Sequence, residues 1–156
     1  MRRKDRLVSD SQEIFEILKR CEVCHLAFYD EEFPYIVPLN FGAVERDGSF
    51  ELYFHGAKVG KKLDLLRNNP HVGFSMSCSH KLIEKEEACE YTMEYESVCG
   101  NGILEELEDE YKTQALNILM KQYTGKDDYT FPENALRAVA VMKLTVKEIN
   151  GKRLNK

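Results

Sequence analysis

Long apolar runs are missing from this chain. No stretch approaches the roughly 20 residues of a membrane-spanning helix, and the opening MRRKDRLVSD lacks the apolar middle of a secretory signal. A surplus of basic charge is missing too. Lys and Arg number 22 against 27 Asp and Glu, a formal net charge of −5. That argues against a general nucleic-acid binder, which needs a basic face to displace counterions from phosphate. Paired carboxylates placed for hydrolysis, a nucleophile elbow and a Walker loop are all absent, and no internal repeat is evident. These absences lead to the expectation of a cytoplasmic protein, its five cysteines kept as thiols.

What is present fits a single domain over residues 1–156, 43% hydrophobic and 31% charged, long enough for one core. Asp10-Ser11-Gln12-Glu13 predicts a helix entrance in which Asp10 caps and Glu13 reaches back. Ile14, Ile17, Leu18 and Cys21 follow on one face. The period then changes. Residues 23–29, 35–44 and 50–54 read as strands rich in β-branched and aromatic side chains, with an Asp47-Gly48 hairpin signal and Pro38 marking an edge or bulge. Val59, Leu63 and Leu66 share a helical face that Pro70 ends. A strand at 72–76 precedes a solvated excursion at 79–90. A further strand spans 95–107, where Gly100 and Gly102 permit a bulge or a close approach. Tyr111, Ala115, Leu119 and Tyr123 line a third helix closed by Gly125, and a loop leads to a last strand over 138–149. Sequential antiparallel strands with helices inserted between them predict a small α+β barrel.

The handover from strand to helix at LYFHGAKVGKKLDLL is the chemically distinctive stretch. A helix N-terminus carries unpaired N–H groups and the positive end of the dipole, and so attracts phosphate. Gly56 lets backbone approach a ligand with no side chain in the way. Lys58, Lys61 and Lys62 add positive charge where cations oppose the dipole, at about 0.3–1 kcal/mol each. An anion would offset that cost, whereas a solvated lysine face would leave it standing.

The order of several short motifs resembles the FMN-binding split-barrel flavoproteins, the superfamily of pyridoxamine 5′-phosphate oxidase, and more narrowly its nitroimidazole-resistance (Nim-type) branch. They are Met1-Arg2-Arg3-Lys4, Pro34-Tyr35-Ile36-Val37-Pro38-Leu39-Asn40, Phe54-His55-Gly56-Ala57, Gly60-Lys61-Lys62, Asn69-Pro70, and Tyr95-Glu96-Ser97-Val98 with Gly102. The resemblance implies a split β-barrel of mainly antiparallel strands with peripheral helices, forming a homodimer with FMN at the subunit interface. By the same resemblance Lys61 and Lys62 clamp the flavin phosphate. Val37, Pro38 and Asn40 lie along the ring, Phe54, His55 and Gly56 line the rest of the site, and Ser97 approaches the cofactor, from the second subunit if not from its own. It further implies an oxidoreductase in which a nicotinamide donor reduces the flavin, and the flavin reduces a small electrophile such as a nitroaromatic. His55 resembles the Nim-type histidine facing the flavin. It is either the proton donor or a hydrogen-bonding group to the phosphate or the partner chain.

Two departures from the family pattern qualify the resemblance. Lys61 stands where the family has arginine, keeping the charge but losing the bidentate fork. The Arg-x-His pattern of true pyridoxamine phosphate oxidases has no counterpart over 146–152, so vitamin B6 oxidation is not expected. The alternative is a non-catalytic flavin- or haem-binding protein, with His25, His55, His71 or His80 as an axial ligand. A chain that keeps the dimer but has lost its cofactor is a third reading. Cys21-Glu22-Val23-Cys24-His25 spells a c-type haem attachment motif, yet it straddles a helix end and a strand start, where small cysteines pack as core residues. A zinc site that adds Cys78 and His80 to this cluster would need the fold to bring them together.

Overall fold

A computed structural model describes residues 4–155. The Met1-Arg2-Arg3 start lies outside the described residues, and of Lys4 only the backbone is described. Strands β1 (Leu7–Val8), β2 (Cys24–Phe28), β3 (Tyr35–Leu39), β4 (Phe41–Arg46), β5 (Ser49–Ala57), β6 (His71–Ile83), β7 (Thr92–Glu106) and β8 (Val139–Leu154) form one sheet. Every pairing is antiparallel, in the order β3-β2-β6-β7-β8-β5-β4, with β1 also on β8. The first and last strands of that order, β3 and β4, are consecutive in the chain with Asn40 alone between them. The sheet therefore curls back on itself and is closed by covalent chain rather than by a ladder: a split barrel of the α+β class.

Four helices attach to the barrel: α1 (Ser11–Arg20), α2 (Lys61–Asn68), α3 (Asp109–Thr124) and α4 (Glu133–Ala138). Among the described residues no helix is long and apolar enough to cross a membrane. The capping signal at Asp10 is real, since Glu13 N donates to Asp10 Oδ1 at 2.9 Å. Glu13 does not reach back, however. Its carboxylate accepts from Arg153 Nη1 at 3.4 Å, a guanidinium being a stronger donor than a backbone amide. Ile14, Ile17 and Leu18 bury as their spacing predicts, against Leu26, Phe28, Phe41, Leu52, Phe54 and Met142 inside the barrel. Each such side chain contributes about 1.5–3 kcal/mol on leaving water.

Strand parity decides what faces where. Along β5, Phe50, Leu52 and Phe54 enter the barrel core, while Tyr53 turns to a second cluster with Ala115 and Val141 under α3. The helix sits tight there. A Cβ on Gly42 would lie 2.6 Å from Leu119 Cα, so only glycine lets α3 lie against β4. The Asp47-Gly48 turn has both residues at positive φ, 50° and 79°, the signature of a type I′ hairpin. Pro38 lies on an edge as expected, for β3 pairs with β2 and no strand flanks its other side among the described residues.

The structure corrects four element assignments. Residues 35–44 form two strands broken at Asn40. Helix α2 starts at Lys61, with Gly60 at its cap, which leaves Val59 outside it and 81% exposed. Residues 79–83 continue β6 past a register shift between Cys78 and Lys81, so much of the excursion is an exposed hairpin rather than a loop. Helix α4 occupies what read as loop.

Candidate functional site

The lysine-rich segment divides on folding. Lys61 Nζ pairs with Asp30 Oδ2 at 2.6 Å and sits 5.3 Å from the centre of the Tyr35 ring. Its hydrogen bond to that carboxylate raises its pKa. Lys58 lies before the helix and lines a separate pocket with Arg67, Glu106 and Asp109. Lys62 is different. It is half-buried and has no hydrogen bond or ion pair among the described residues. Its ammonium lies over Gly56, where an added Cβ would meet both Nζ and Cε at 2.7 Å.

The backbone beside it is also open. The first helical hydrogen bonds run from Leu63 N and Asp64 N to Gly60 O, so the amides of Lys61 and Lys62 precede any intrahelical bond. Gly56, Lys62 and the start of α2 thus form a small cationic cradle in which Lys62 has no anionic partner among the described residues, the carboxylate of the first turn, Asp64, pairing with Arg67. Asp30 and Tyr35 hold Lys61 at its side, which ties the cradle to the β2–β3 turn and the beginning of β3.

The remaining candidates separate into groups. Val37 packs toward the barrel core, whereas Pro38 on the same edge strand is exposed. The Asn40 side chain serves the barrel seam: its Nδ2 donates to Glu22 O at 3.1 Å and to Tyr123 Oη at 3.2 Å. Tyr123 Oη in turn donates to Glu22 O at 2.7 Å and accepts from Phe41 N at 3.0 Å. Phe54 is wholly buried in the core. His55 is exposed and has the parity of Tyr53, opposite to that of Gly56. It lines a pocket of about 240 Å³ between α3 and α4, so strand β5 stands between the imidazole and the Lys62 cradle. Ser97 sits on β7 between buried Glu96 and Val98, facing away from the core beside Ser77 and Lys152, with β8 between its strand and β5. Within one chain it does not join the cradle.

Two charged residues to which the sequence analysis assigned no role are buried and fully engaged. Glu96 accepts from Arg153 Nε at 2.6 Å, Arg20 Nε at 2.9 Å and Ser79 Oγ at 3.0 Å. Burial alone would raise its carboxyl, but these donors outweigh that and hold it below the ordinary range. Lys112, 3% exposed, donates to Leu136 O at 3.2 Å and Val139 O at 2.9 Å and pairs with Asp109 Oδ1 at 2.7 Å. It fastens α4 and the start of β8 to α3.

The C-x-x-C-H run is core rather than a ligand set. Cys21 and Cys24 are buried, and burial pushes both thiols up, that of Cys24 to about 12. Alternation along β2 sends Cys24 inward and His25 outward. His80 bonds to Ser77 Oγ at 3.1 Å, and no group of three or more His, Cys, Asp or Glu able to hold a metal occurs among the described residues. A cavity of about 720 Å³ is lined by Asp30, Glu31, Ala27, His71, Gly73 and Asn101, on the side of the β2–β3 turn that holds the partner of Lys61.

Comparison with known proteins agrees with this architecture. A family model described as pyridoxamine 5′-phosphate oxidase matches residues 10–153. No curated protein matches the sequence. Among solved structures, a candidate 5-nitroimidazole antibiotic resistance protein from Bacteroides thetaiotaomicron is 36% identical, with a TM-score of 0.79 over 94% of this chain and 85% of that one. A flavocytochrome from Azotobacter vinelandii has a TM-score of 0.82 at 19% identity, over 100% of this chain and 72% of that one. A FAD- and haem-binding protein from Mycobacterium smegmatis has a TM-score of 0.82 at 18% identity, over 97% and 74%. At those two identities the likeness is one of fold. With 144 of its 156 residues inside the matched span and a 36% identical relative along almost its whole length, the chain belongs to the pyridoxamine 5′-phosphate oxidase family of split barrels.

Proposed function

We propose that this protein is an FMN-dependent oxidoreductase, acting in the cytoplasm as a homodimer with FMN at the subunit interface. A nicotinamide donor would reduce the flavin, and a small electrophile such as a nitroaromatic would be the final acceptor. The observation that carries this reading is Lys62: a half-buried ammonium with no acceptor among the described residues, set over a glycine at the start of a helix. A flavin phosphate fits that cradle. It would accept from Lys62 and from the open amides of α2, and Gly56 leaves the space a Cβ would fill.

Bound FMN would supply hydride acceptance and donation, chemistry that no side chain here performs. The protein's own part is to hold and orient. Lys62 neutralises the phosphate. Lys61, steadied by Asp30, adds a shared charge at the edge of the cradle. Val37 and Pro38 present an edge strand along which a ring can lie, and Asn40 keeps the seam beside it closed. Ser97, on the outer sheet face, would reach the cofactor of the partner subunit. His55, next in sequence to Gly56 but on the other face of β5, would be the proton donor only for a substrate that reaches the reduced flavin from that face. Nothing in the chain supports oxidation of pyridoxamine phosphate, since residues 146–152 lack the Arg-x-His pattern.

The experiment is an absorbance spectrum of the purified protein followed by titration with FMN, for wild type and Lys62→Ala. Flavin bound by the wild type and stripped by the substitution is the expected result. Equal affinity in both ends the assignment. A second reading, a non-catalytic flavin- or haem-binding protein, draws on one geometric feature. His71 lines the 720 Å³ cavity with its Nδ1 fixed 2.8 Å from Asn69 Oδ1, the orientation that leaves Nε2 free for an axial bond. A Soret band in place of the flavin spectrum would select it.

A further inference from the structure

Two thiols converge at the end of α1, outside the cradle and unused by the proposed redox chemistry. Cys21 is the C-cap of the helix, and its amide donates to Ile17 O at 3.2 Å. Cys78 Sγ lies 3.9 Å from the same carbonyl, although Cys78 belongs to β6, far along the chain. The Cys78 sulfur also stands within hydrogen-bonding reach of the Cys21 thiol. Alternation with Val72, Phe74 and Met76 turns Cys78 inward, and both cysteines pack on the main barrel core. Cys24 is wholly buried and bears on Cys21 less than Cys78 does.

The two sulfurs differ in access. Cys21 is 1% exposed. Burial first, and then the neighbouring Cys78, raise its pKa, so it stays a neutral thiol at physiological pH. Cys78 is half-buried among polar groups: Ser79 Oγ donates to its sulfur at 3.7 Å, and Glu96 Oε2, which Arg20 holds, lies 3.9 Å away. An oxidant from solvent therefore meets Cys78 first. The backbone at both sites is already irregular. The β6–β7 register shifts between Cys78 and Lys81, and Ser79 has a φ of 57°. Cys21 has left the helix for extended backbone, with φ −77° and ψ 139°. Neither end has to break a helix or a regular ladder to reach S–S bonding geometry.

We infer that Cys21 and Cys78 form a peroxide-driven disulfide, with Cys78 the reacting sulfur and Cys21 the resolving one. Hydrogen peroxide oxidises the Cys78 thiol to a sulfenic acid: the O–O bond breaks, an S–O bond forms, and the thiol proton leaves with the second oxygen as water. The Cys21 sulfur then displaces hydroxide from Cys78, and its own proton leaves with that hydroxide as a second water. Two thiols and one peroxide give one disulfide and two waters, and a small thiol reverses the bond by exchange. The bond ties the end of α1 to β6 and closes a loop that holds β2 to β5 and α2, the cradle included. Such a bond, made on demand and then reduced, is the kind a thiol-reducing compartment sustains. It uses no flavin and stands apart from the proposed function.

The test exposes the full native chain to hydrogen peroxide, blocks the remaining thiols under denaturing conditions and maps the peptides by mass. Two peptides joined through Cys21 and Cys78, lighter by two hydrogens and separated again by dithiothreitol, are expected. Unfolding in urea before the peroxide should lower their yield about tenfold or more, since only the fold brings these sulfurs together. Cys21→Ala should hold the reaction at the sulfenic acid, which dimedone captures on Cys78 about tenfold more than in wild type. Replacing the two exposed thiols, by Cys89→Ser with Cys99→Ser, should leave the yield unchanged. Cys78 left unreacted, or carried to sulfinic acid while Cys21 stays a thiol, overturns the inference. So does Cys78 joined to any other cysteine, or a cross-link as abundant from the unfolded chain as from the native one. Should Cys21→Ala fail to fold, the wild-type map and its urea control decide alone.

Discussion

Glu96 and Lys62 are both charged groups drawn back from solvent, and the chain treats them oppositely. Glu96 is saturated, with two guanidinium groups and a hydroxyl directed at its two oxygens. Its partners come from α1, β6 and β8, so the carboxylate staples the helix to the far half of the sheet. Lys62 has no partner among the described residues, and the residue beneath it has no side chain at all. A charge satisfied internally stabilises the fold. One left open beside a glycine and free amides is available to an anion from outside the chain. Lys112 belongs with Glu96 in this division, and Lys61, paired at the surface with Asp30, stands between the two kinds.

The largest effect that would sharpen this contrast is on the saturated side. Glu96→Ala leaves Arg20 and Arg153 without their shared acceptor and should cost about 2–3 kcal/mol in urea unfolding. That is less than the 3–5 kcal/mol of a wholly buried pair, because both guanidinium groups reach solvent. FMN binding by the folded fraction should be unchanged. The same cluster sets a pH dependence. The folded Glu96 carboxyl lies below its ordinary value of 4.5, so its stabilisation is complete above that value and is lost as pH falls through the folded value. Glu96→Gln should lack this component of the acid transition. An identical acid midpoint in wild type and variant would mean the network carries no linkage.

On the open side, Lys62→Ala is expected to weaken FMN binding about 10- to 100-fold, the range of a charge-assisted hydrogen bond to phosphate. Stability should change by no more than about 0.5 kcal/mol, since no hydrogen bond or ion pair among the described residues is lost. A variant that unfolds more easily and binds flavin normally would invert the comparison.

The distinction was only half legible in the sequence. The cradle could be read because it is local: a glycine, a helix start and lysines within a few residues of one another. Glu96 could not, because its partners are 76 and 57 residues away in the chain, and nothing local marks Arg20 or Arg153 as its donors. The barrel itself was legible from strand periodicity, the Asp47-Gly48 turn and Pro38 at an edge. The run 79–83 misled because its side chains are exposed on a hairpin, where polarity resembles that of a loop. Helix α4 misled because six residues cannot establish a period, and what holds it is Lys112 from another helix. The facing of His55 was within reach all along. The alternation Phe50, Leu52, Phe54 already places position 55 on the face opposite Gly56.

Gly56→Ala probes the cradle without touching any charge. The new Cβ would sit 2.7 Å from Lys62 Nζ, and the flexible lysine would swing aside at little cost to the fold. FMN affinity should fall about tenfold, with a melting temperature close to wild type, because the ammonium is displaced while the helix amides stay. A Gly56→Ala protein that binds FMN as tightly as wild type would show that the glycine is not there to admit the phosphate.

The smallest effect tests the intermediate case. Lys61 shares its charge with Asp30 at 2.6 Å on the surface, and such exposed pairs hold each other only weakly. If the cradle binds an anion, Asp30 competes with it for Lys61. Asp30→Asn should then tighten FMN binding about two- to fivefold, and Lys61→Ala should weaken it by a similar factor. Raising the ionic strength should compress both differences, since the charges are open to solvent. The opposite sign, weaker FMN binding in Asp30→Asn, would mean that the carboxylate positions Lys61 for the ligand rather than opposing it. Lys61 would then belong with the cradle, and its pairing would be part of the site's preorganisation.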